Sequence, residues 1–295
     1  MLQPYIKTRS KLLGAIRHFF EERDFLEVET PVRIPVPAIE LHIDAESSGE
    51  MYLRTSPELH MKRLLADGAE RIFQMGPCFR RGEKGMLHNP EYTMLEWYRV
   101  NADYTDMILD TKALIAAILK EVSGKTSFVF HGTEVQTMPV WECMSISDVF
   151  MQHAGWNPCL NFDPDRFDVD LVEKIEPSLP KDRPVILKDY PAELAALAKL
   201  KDGCPNIAER WELYICGIEL ANAFTELVDP VEQRNRFEHC LSQRALLGKD
   251  QYEIDERFIE ALEKGIPPCG GVALGVDRLL MLMMDLFSVS EVRML

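Results

Sequence analysis

Alternation of apolar and polar positions divides the chain into a few strongly patterned segments joined by stretches with little periodicity. Residues 5–23 place Leu12, Ile16, Phe19 and Phe20 on one face and Arg17, Glu21 and Glu22 elsewhere, the period of an amphipathic helix. In residues 25–33, Leu26 and Val28 alternate with Glu27 and Glu29, which predicts a strand ended, or held at a sheet edge, by Pro31. A loop over 34–50 and a short strand over 51–55 follow. A helix is expected over 55–68, with Ser56 as its cap, Pro57 as its first residue and Gly68 as its stop. Glu58 then falls in the first turn, where a carboxylate commonly does no more than favour the helix dipole.

The densest stretch is 73–98, FQMGPCFRRGEKGMLHNPEYTMLEWY. Residues 73–79 are mostly apolar, and 92–98 set Tyr92, Met94, Glu96 and Tyr98 against Thr93, Leu95 and Trp97, so both ends read as strands. Two glycines and a proline between them make a long hairpin loop. That loop carries Arg80, Arg81, His88 and Asn89 together with Glu83 and Glu91. Arginine meets phosphate or carboxylate with two parallel hydrogen bonds, so a basic loop over a sheet suits a polyanion. A surface hairpin with solvated charges accounts for the same residues.

Residues 105–121 read as a second amphipathic helix through Met107, Leu114, Ile115 and Ile118, and 123–140 as strand and loop. From 145 to 206 the pattern predicts helical pieces near 145–154, 167–175 and 191–200, separated by proline- and aspartate-rich stretches, as an insertion on the core. In 209–227, Trp211, Leu213 and Ile215 alternate with Glu212, Tyr214 and Cys216, and a two-residue turn at Cys216 and Gly217 would set Tyr214 opposite Glu219. Glu212 then lies diagonally from Glu219 on one face, roughly 7–8 Å away, where two acids can share a divalent cation. Glu226 has the opposite parity, so both glutamates reach one pocket only through a bulge near Asn222. An edge strand with solvated glutamates is the competing reading.

Two charged helices, 231–248 and 253–264, precede CGGVALGVDRLLMLMMDL, in which Gly270, Gly271 and Gly275 flank a short strand that runs into an apolar helix. Arg278 sits in that helix's first turn, against the dipole, so an anion is expected beside it.

Composition narrows the function classes. At 295 residues the chain holds one or two domains, and 46% hydrophobic with 27% charged residues is an ordinary globular balance. No apolar run approaches a membrane span, and the first residues lack a signal peptide's apolar core, so no membrane partner is expected. The net charge of −15 means that gripping nucleic acid would need a local basic patch. Seven scattered cysteines without a CxxC point away from a zinc site or disulfide framework and toward a reducing cytoplasm.

In chain order, 25–33 with Pro31, 79–98 and 271–278 resemble the three signature motifs of class II aminoacyl-tRNA synthetases. TSPELHMK, HNPEYTMLEWY, GIELANAFTEL and GVALGVDR are similar to the lysyl-tRNA synthetase catalytic domain, and closer still to its paralogues in the EpmA family, the elongation factor P–(R)-β-lysine ligases. The resemblance covers almost the whole chain. It implies an α+β fold, a class II aminoacyl-tRNA synthetase-like catalytic domain with an antiparallel sheet flanked by helices. That domain would span 1–295, with a helical insertion at about 145–206, and form a homodimer through the first motif.

The resemblance also implies roles. ATP would be held by Arg80, Arg81, Gly82, Glu83, His88, Asn89, Tyr92, Glu219, Leu220, Gly275 and Arg278. Arg80 would bridge the substrate carboxylate and the α-phosphate, Arg278 would hold the γ-phosphate, and Tyr92 would stack on adenine. Glu212 and Glu219 would bind Mg²⁺. Ser56, Pro57, Glu58, Tyr98, Asn222, Glu226 and Ala273 would line the amino-acid pocket, with Tyr98 and Glu226 receiving the side-chain ammonium. Activating a carboxylic acid with ATP needs no general base, because the carboxylate is already ionised at neutral pH. It needs in-line positioning and charge neutralisation at phosphorus, which arginines and Mg²⁺ supply.

Three positions depart from the synthetase pattern. Gly82 followed by Glu83 stands where that pattern has glutamate at 82, Tyr92 stands for phenylalanine, and Ala273 for glycine. The Ala273 methyl would reshape the pocket for a displaced α-amino group, which fits (R)-β-lysine, the lysine analogue that the resembled family attaches to a lysine of elongation factor P. The first-motif helix begins within a few residues of Met1, so no anticodon-binding domain is expected. Together with the acidic charge this weighs against tRNA as the acceptor. The alternatives are a short lysyl-tRNA synthetase that charges tRNA, and an inactive paralogue acting as a binding or regulatory subunit. The presence of Arg80, Arg278, Glu212 and Glu219 counts against the second.

Overall fold

Nine strands form the central sheet of the computed structural model, which describes residues 4–293. They are β1 (Leu26–Glu27), β2 (Arg71–Phe79), β3 (Glu91–Val100), β4 (Glu142–Ser145), β5 (Val185–Pro191), β6 (Leu200–Lys201), β7 (Cys204–Ile215), β8 (Ile218–Thr225) and β9 (Cys269–Gly275). Their spatial order is β1-β2-β3-β9-β8-β7-β5-β4, with β6 paired to β7. The pairs from β2 to β5 are antiparallel, as expected. The two outer pairs, β1 with β2 and β4 with β5, are parallel, which makes the sheet mixed and not wholly antiparallel. Parallel neighbours need a crossover. The first pair has one in α2 (Glu58–Ala66), and the second in α4 (Ile146–His153) and α5 (Pro164–Asp170).

The alternation read from the sequence decides which sheet face is core. Phe73, Leu95, Trp97, Trp211, Leu213, Ala221, Ala223, Val272 and Leu274 all point to one side. There they pack under α1 (Pro4–Glu21), α3 (Tyr104–Ser123) and the helix that begins at Val276. Phe20 of α1 stacks on Phe73 at 4.6 Å. Asp103 caps α3 by accepting from the Thr105 and Asp106 amides, and Gly124, at φ 72°, stops it. Each large apolar side chain buried here contributes about 1.5–3 kcal/mol, so a one-residue slip of β3 would be strongly opposed.

The opposite face is divided. At one end Ile72, Tyr98 and Cys269 pack under α2, α6 (Pro230–Leu246) and α7 (Glu256–Lys264). At the other, Val185, Leu187, Tyr190 and Tyr214 pack under α4 and α5. Between these clusters the sheet is left open, and Glu96, Glu212, Glu219 and Asn222 face outward there among Met94, Ala273 and Phe224.

Two expected elements differ. Within 25–33 only Leu26–Glu27 and Arg33–Ile34 are strand, and Leu26 is 63% exposed. An edge strand with a single neighbour gives its alternation no second layer to bury. Residues 191–200, rich in alanine and leucine, are not a helix. They form the end of β5, a single tight turn at Ala192–Leu194, and β6. Backbone bonds from Lys199 N to Thr225 O and from Leu227 N to Leu197 O tie this run to the sheet, overriding its helix propensity. The helical character expected of 145–206 therefore ends near Ser178, and the rest contributes sheet strands. Among the described residues no helix is long and apolar enough to cross a membrane.

Candidate active site

On the open face two cavities of about 300 Å³ and 70 Å³ share a wall made by Glu40, Arg80, Met94, Asn222 and Ala273. Strand parity builds them. On β3, Tyr92, Met94, Glu96 and Tyr98 face the cavities while Leu95 and Trp97 are core. On β9, Gly271, Ala273 and Gly275 do so. Cys216 and Gly217, at φ 56° and 77°, form the expected two-residue turn between β7 and β8, and Tyr214 lies opposite Glu219. The register then shifts, because Leu213 pairs Ala221 and Glu212 pairs Asn222, which leaves Leu220 as an extra residue. This bulge puts Glu219, Asn222 and Phe224 on the cavity side, and Glu226 follows in the same direction.

The larger cavity carries three arginines, Arg80, Arg210 and Arg278, among four carboxylates, Glu40, Glu212, Glu219 and Asp277. Arg80 lies over the Tyr92 ring at 5.3 Å, and its Nε–H is buried with no partner. Burial opposes its charge, but Tyr92, Glu40, Glu83 and Glu219 around it outweigh that and hold the guanidinium ionised. Tyr92 donates its hydroxyl to Thr55 O at 2.9 Å, which fixes the ring. Arg278 donates to Leu87 O at 3.1 Å, Glu219 O at 2.7 Å and Glu219 Oε2 at 3.2 Å. The anion expected beside Arg278 is thus met by Glu219 within the chain. His88 Nε2 lies 2.7 Å from Arg278 Nη2. Arginine can only donate, so this nitrogen accepts and the ring is neutral. Burial, and then the Arg278 charge, lower its pKa accordingly. Asn89 turns a buried, unpartnered side-chain amide into the same region.

The smaller cavity is anionic. Glu58, Glu96 and Glu226 converge on it from α2, β3 and the end of β8. Ser56 donates to Glu96 Oε1 at 2.6 Å and Tyr98 to Glu96 Oε2 at 2.9 Å. Lys62, 1% exposed, donates to Glu58 Oε1 at 2.6 Å and forms an ion pair with Glu226. Three carboxylates therefore share one ammonium. Burial, with the Glu58 charge beside it, pushes the Glu96 carboxyl up to about 7. Burial also raises Glu226, against Lys62 and with Glu58 and Glu96. A pocket with this excess of acid stabilises an incoming cation. Gly271 makes room for it: a Cβ there would lie 2.2 Å from Glu226 Oε1 and 2.4 Å from Tyr98 Cε1.

Most of the expected residues meet here. Arg80, His88, Asn89, Tyr92, Glu212, Glu219, Leu220, Gly275 and Arg278 line the larger cavity, and Ser56, Glu58, Tyr98 and Glu226 the smaller, with Asn222 and Ala273 between. Arg81, Gly82, Glu83 and Pro57 line neither. Arg81 pairs with Asp250 at 2.5 Å and Glu83 approaches Arg80 at 3.7 Å, both at the rim. The helix begins one residue later than expected, at Glu58 with Pro57 in the N-cap position, so Ser56 lies just before the cap, though its hydroxyl still accepts from Glu58 N at 2.9 Å. Tyr98 is aimed at Glu96 and not free in the pocket, and Glu226 already has an ammonium neighbour in Lys62. Sequence reasoning missed Glu40, Lys62, Glu96 and Arg210. Glu96 had a signal, the parity it shares with Tyr92 and Tyr98. Lys62 had a weaker one, four residues beyond Glu58 on a helix.

Among the described residues no group of three or more His, Cys, Asp or Glu side chains is placed to hold a metal ion. Glu212 and Glu219 do face one cavity. Glu212 accepts from Arg210 at 2.6 Å, Tyr190 at 2.6 Å and Tyr214 at 2.8 Å, and Arg210 also donates to Asn222 Oδ1 at 3.2 Å. Glu219 keeps Oε1 free of any hydrogen bond, and 42% of its side chain faces the cleft. This donor set is too small to cage Mg²⁺ alone. It fits an ion bound through one or two carboxylates and completed by phosphate oxygens.

A mixed sheet with helices behind it and an arginine-bearing cleft beside an acidic pocket on its open face agrees with a class II tRNA synthetase domain. The chain belongs to that family: the model for "tRNA synthetases class II (D, K and N)" matches residues 1–295. It is 36% identical to a lysine–tRNA ligase of Thermoanaerobacter sp. (strain X514), over 96% of this chain and 62% of the relative. It is 37% identical to a lysine–tRNA ligase of Pelotomaculum thermopropionicum, over 97% and 62%. It is 38% identical to an elongation factor P–(R)-β-lysine ligase of Hamiltonella defensa, over 96% of this chain and 92% of the relative. The chain thus spans about three fifths of the length of the lysine–tRNA ligases it matches.

Proposed function

We propose that the protein is an ATP-dependent ligase that activates a lysine-type diamino acid as its adenylate, and passes the acyl group to a lysine side chain of elongation factor P. The observation that carries this reading is the shared wall: Arg80 joins a cleft of about 300 Å³ that holds three arginines to a pocket with three carboxylates and one internal ammonium. In the first step a substrate carboxylate oxygen forms a bond to the α-phosphorus and pyrophosphate leaves. Arg80 neutralises charge on both reacting groups, and its unpartnered Nε–H is a donor held ready for one of them. Arg278 and His88 hold the distal phosphates, and Tyr92 offers its ring to the base. Mg²⁺, when bound through Glu219 and Glu212, supplies further charge neutralisation at the phosphates. Arg210 orients Glu212 and Asn222 toward that end. In the second step the acceptor lysine, having lost a proton to solvent, bonds through its neutral nitrogen to the acyl carbon; the bond from that carbon to the phosphate oxygen breaks, AMP leaves, and the nitrogen releases a second proton to solvent as the amide forms.

Glu58, Glu96 and Glu226 select a substrate with ammonium groups. Preference for (R)-β-lysine is supported by Ala273, whose position opposite Asn222 borders both cavities. The acceptor is supported by the similarity to the Hamiltonella defensa ligase. Charging of tRNA is the second reading, favoured by the similarity to lysine–tRNA ligases. A homodimer in the cytoplasm, formed through the segment around Pro31, completes the proposal.

ATP–pyrophosphate exchange with Mg²⁺ and L-lysine, (R)-β-lysine or (S)-β-lysine tests the first step. Faster exchange with (R)-β-lysine, followed by labelling of elongation factor P, supports the reading. Preference for L-lysine with acylation of tRNA would replace it by the second reading. No exchange by folded protein would refute both.

A further inference from the structure

Glu40 stands in a loop without regular structure, between the strand segments Arg33–Ile34 and Ser47–Ser48, yet it borders both cavities. The loop is clamped. Arg244 of α6, 0% exposed, donates to Glu40 O at 2.7 Å, Ile43 O at 3.0 Å and Asp44 Oδ1 at 2.6 Å, and stacks on Tyr252 at 4.6 Å. Arg81 N donates to Asp44 O at 2.8 Å, and Ala45 N to the Tyr252 hydroxyl at 3.0 Å. A backbone held by this many bonds from a helix some two hundred residues away is fixed in place. The carboxylate it carries is not used up. Among the described residues no hydrogen bond or ion pair is made to the Glu40 side chain. Its electrostatic neighbours are Arg80, Glu58, Arg210 and Glu83. Burial raises its pKa more than Arg80 lowers it.

An acid set beside another acid, without donors of its own, calls for a cation that brings donors. Arg80 supplies charge from the cavity wall but no hydrogen bond to it. On the proposed reading the reacting carboxylate of the substrate lies at Arg80. The amino group nearest that carboxylate then lies at the shared wall, within reach of Glu40 on one side and Glu58 on the other. The deeper ammonium goes to Glu96 and Glu226. We infer that Glu40 is a specificity-determining residue, completing with Glu58 a two-carboxylate seat for the ammonium nearest the reacting carboxylate of a diamino acid. This rests on the amino-acid activation reading and adds to it a residue outside the three signature motifs.

The test is pyrophosphate exchange by the full chain and by Glu40→Gln. The substrates are β-lysine, L-lysine and 6-aminohexanoate, which lacks the amino group nearest the carboxylate. Gln is nearly isosteric and keeps the loop's backbone contacts. The expected result is a KM for the diamino acids raised roughly 10- to 100-fold, with kcat little changed and the KM for 6-aminohexanoate unaltered. The variant should therefore have lost most of the discrimination between the two substrate kinds. Equal KM changes for all three substrates, or none, would overturn the assignment of Glu40 while leaving activation intact. Calorimetric titration of L-lysine into both proteins without ATP should show the same loss of affinity, and equal affinities would also overturn it. Exchange by the unaltered chain with none of these substrates would instead remove the reading on which the inference rests.

Discussion

Replacing Lys62 by methionine removes an ammonium without opening a hole, which isolates its charge. In the folded protein Lys62 is 1% exposed, bonded to Glu58 at 2.6 Å and paired with Glu226. Removing one partner of a buried pair costs about 3–5 kcal/mol, because the other charge stays buried without compensation. Here two carboxylates are stranded, and they can escape only by taking up protons. Glu226, which burial already raises in the native protein, then moves further above its unfolded value. The folded variant consequently binds more protons than the unfolded chain, and its stability falls as pH rises. Each proton taken up relieves about 1.4 kcal/mol per pH unit. The loss should be about 3 kcal/mol or more at pH 8.5 and smaller by about 1–3 kcal/mol at pH 6. Urea denaturation of both proteins at the two pH values measures it, and thermal midpoints should differ by about 6–10 °C at the higher pH. The double variant Lys62→Met/Glu226→Gln should recover at least half of the loss. A deficit under about 1 kcal/mol, or one equal at both pH values, would show that Lys62 does not balance the acidic pocket.

Arg80→Ala should abolish pyrophosphate exchange while leaving the thermal midpoint within a few degrees, since the side chain lines cavity and not core; ordinary turnover would sink the proposed first step. Gly271→Ala should raise the KM for diamino acids at least tenfold and leave that for ATP unchanged, because the new methyl falls on Glu226 and Tyr98; unaltered kinetics would mean the pocket lies elsewhere. Glu96 titrates at about 7 in the free protein, and an ammonium favours its ionised form. Affinity for lysine-type substrates should thus rise with pH up to about 7 and then level off, and Glu96→Gln should flatten that rise. The same raised pKa makes Glu96 stabilise the free fold most at low pH, with the contribution falling between about 4.5 and 7, which substrate-free unfolding can check.

How much of this could be read in advance follows from where regular backbone carries the chemistry. On β3 and at the β7–β8 turn the period of two fixes both register and face, so alternation alone put Glu212 and Glu219 on one face and Tyr92 with Tyr98 on another, while the site roles of the two tyrosines came only from the resemblance. Glu226 needed a bulge, which the opposite parity of Glu219 and Glu226 required only if both reached one pocket; the structure has it at Leu220. Glu40 was invisible, since its place is set by Arg244 and not by any local period. Lys62 was hidden for another reason: a lysine on a polar-looking helix is usually solvated, and only the tertiary placement of Glu226 makes it a buried partner. The run 191–200 misled because alanine-rich composition favours a helix, whereas contact with Thr225 and Leu197 decides the backbone.

The extra residue at Leu220 has a further consequence for how such a site can change over time. Upstream of it the strand presents Glu219 to the larger cavity, and downstream it presents Asn222 and Phe224 to the smaller. Because Leu220 is the unpaired extra residue, its loss would leave a regular ladder with Glu219, Asn222 and Phe224 on their present face, whereas loss of a paired residue such as Ala223 would turn the end of the strand over. The strand can therefore change length at this one place, and elsewhere drift only by substitution. Its paired residues would be inherited as a unit, even while the pocket they serve is retuned.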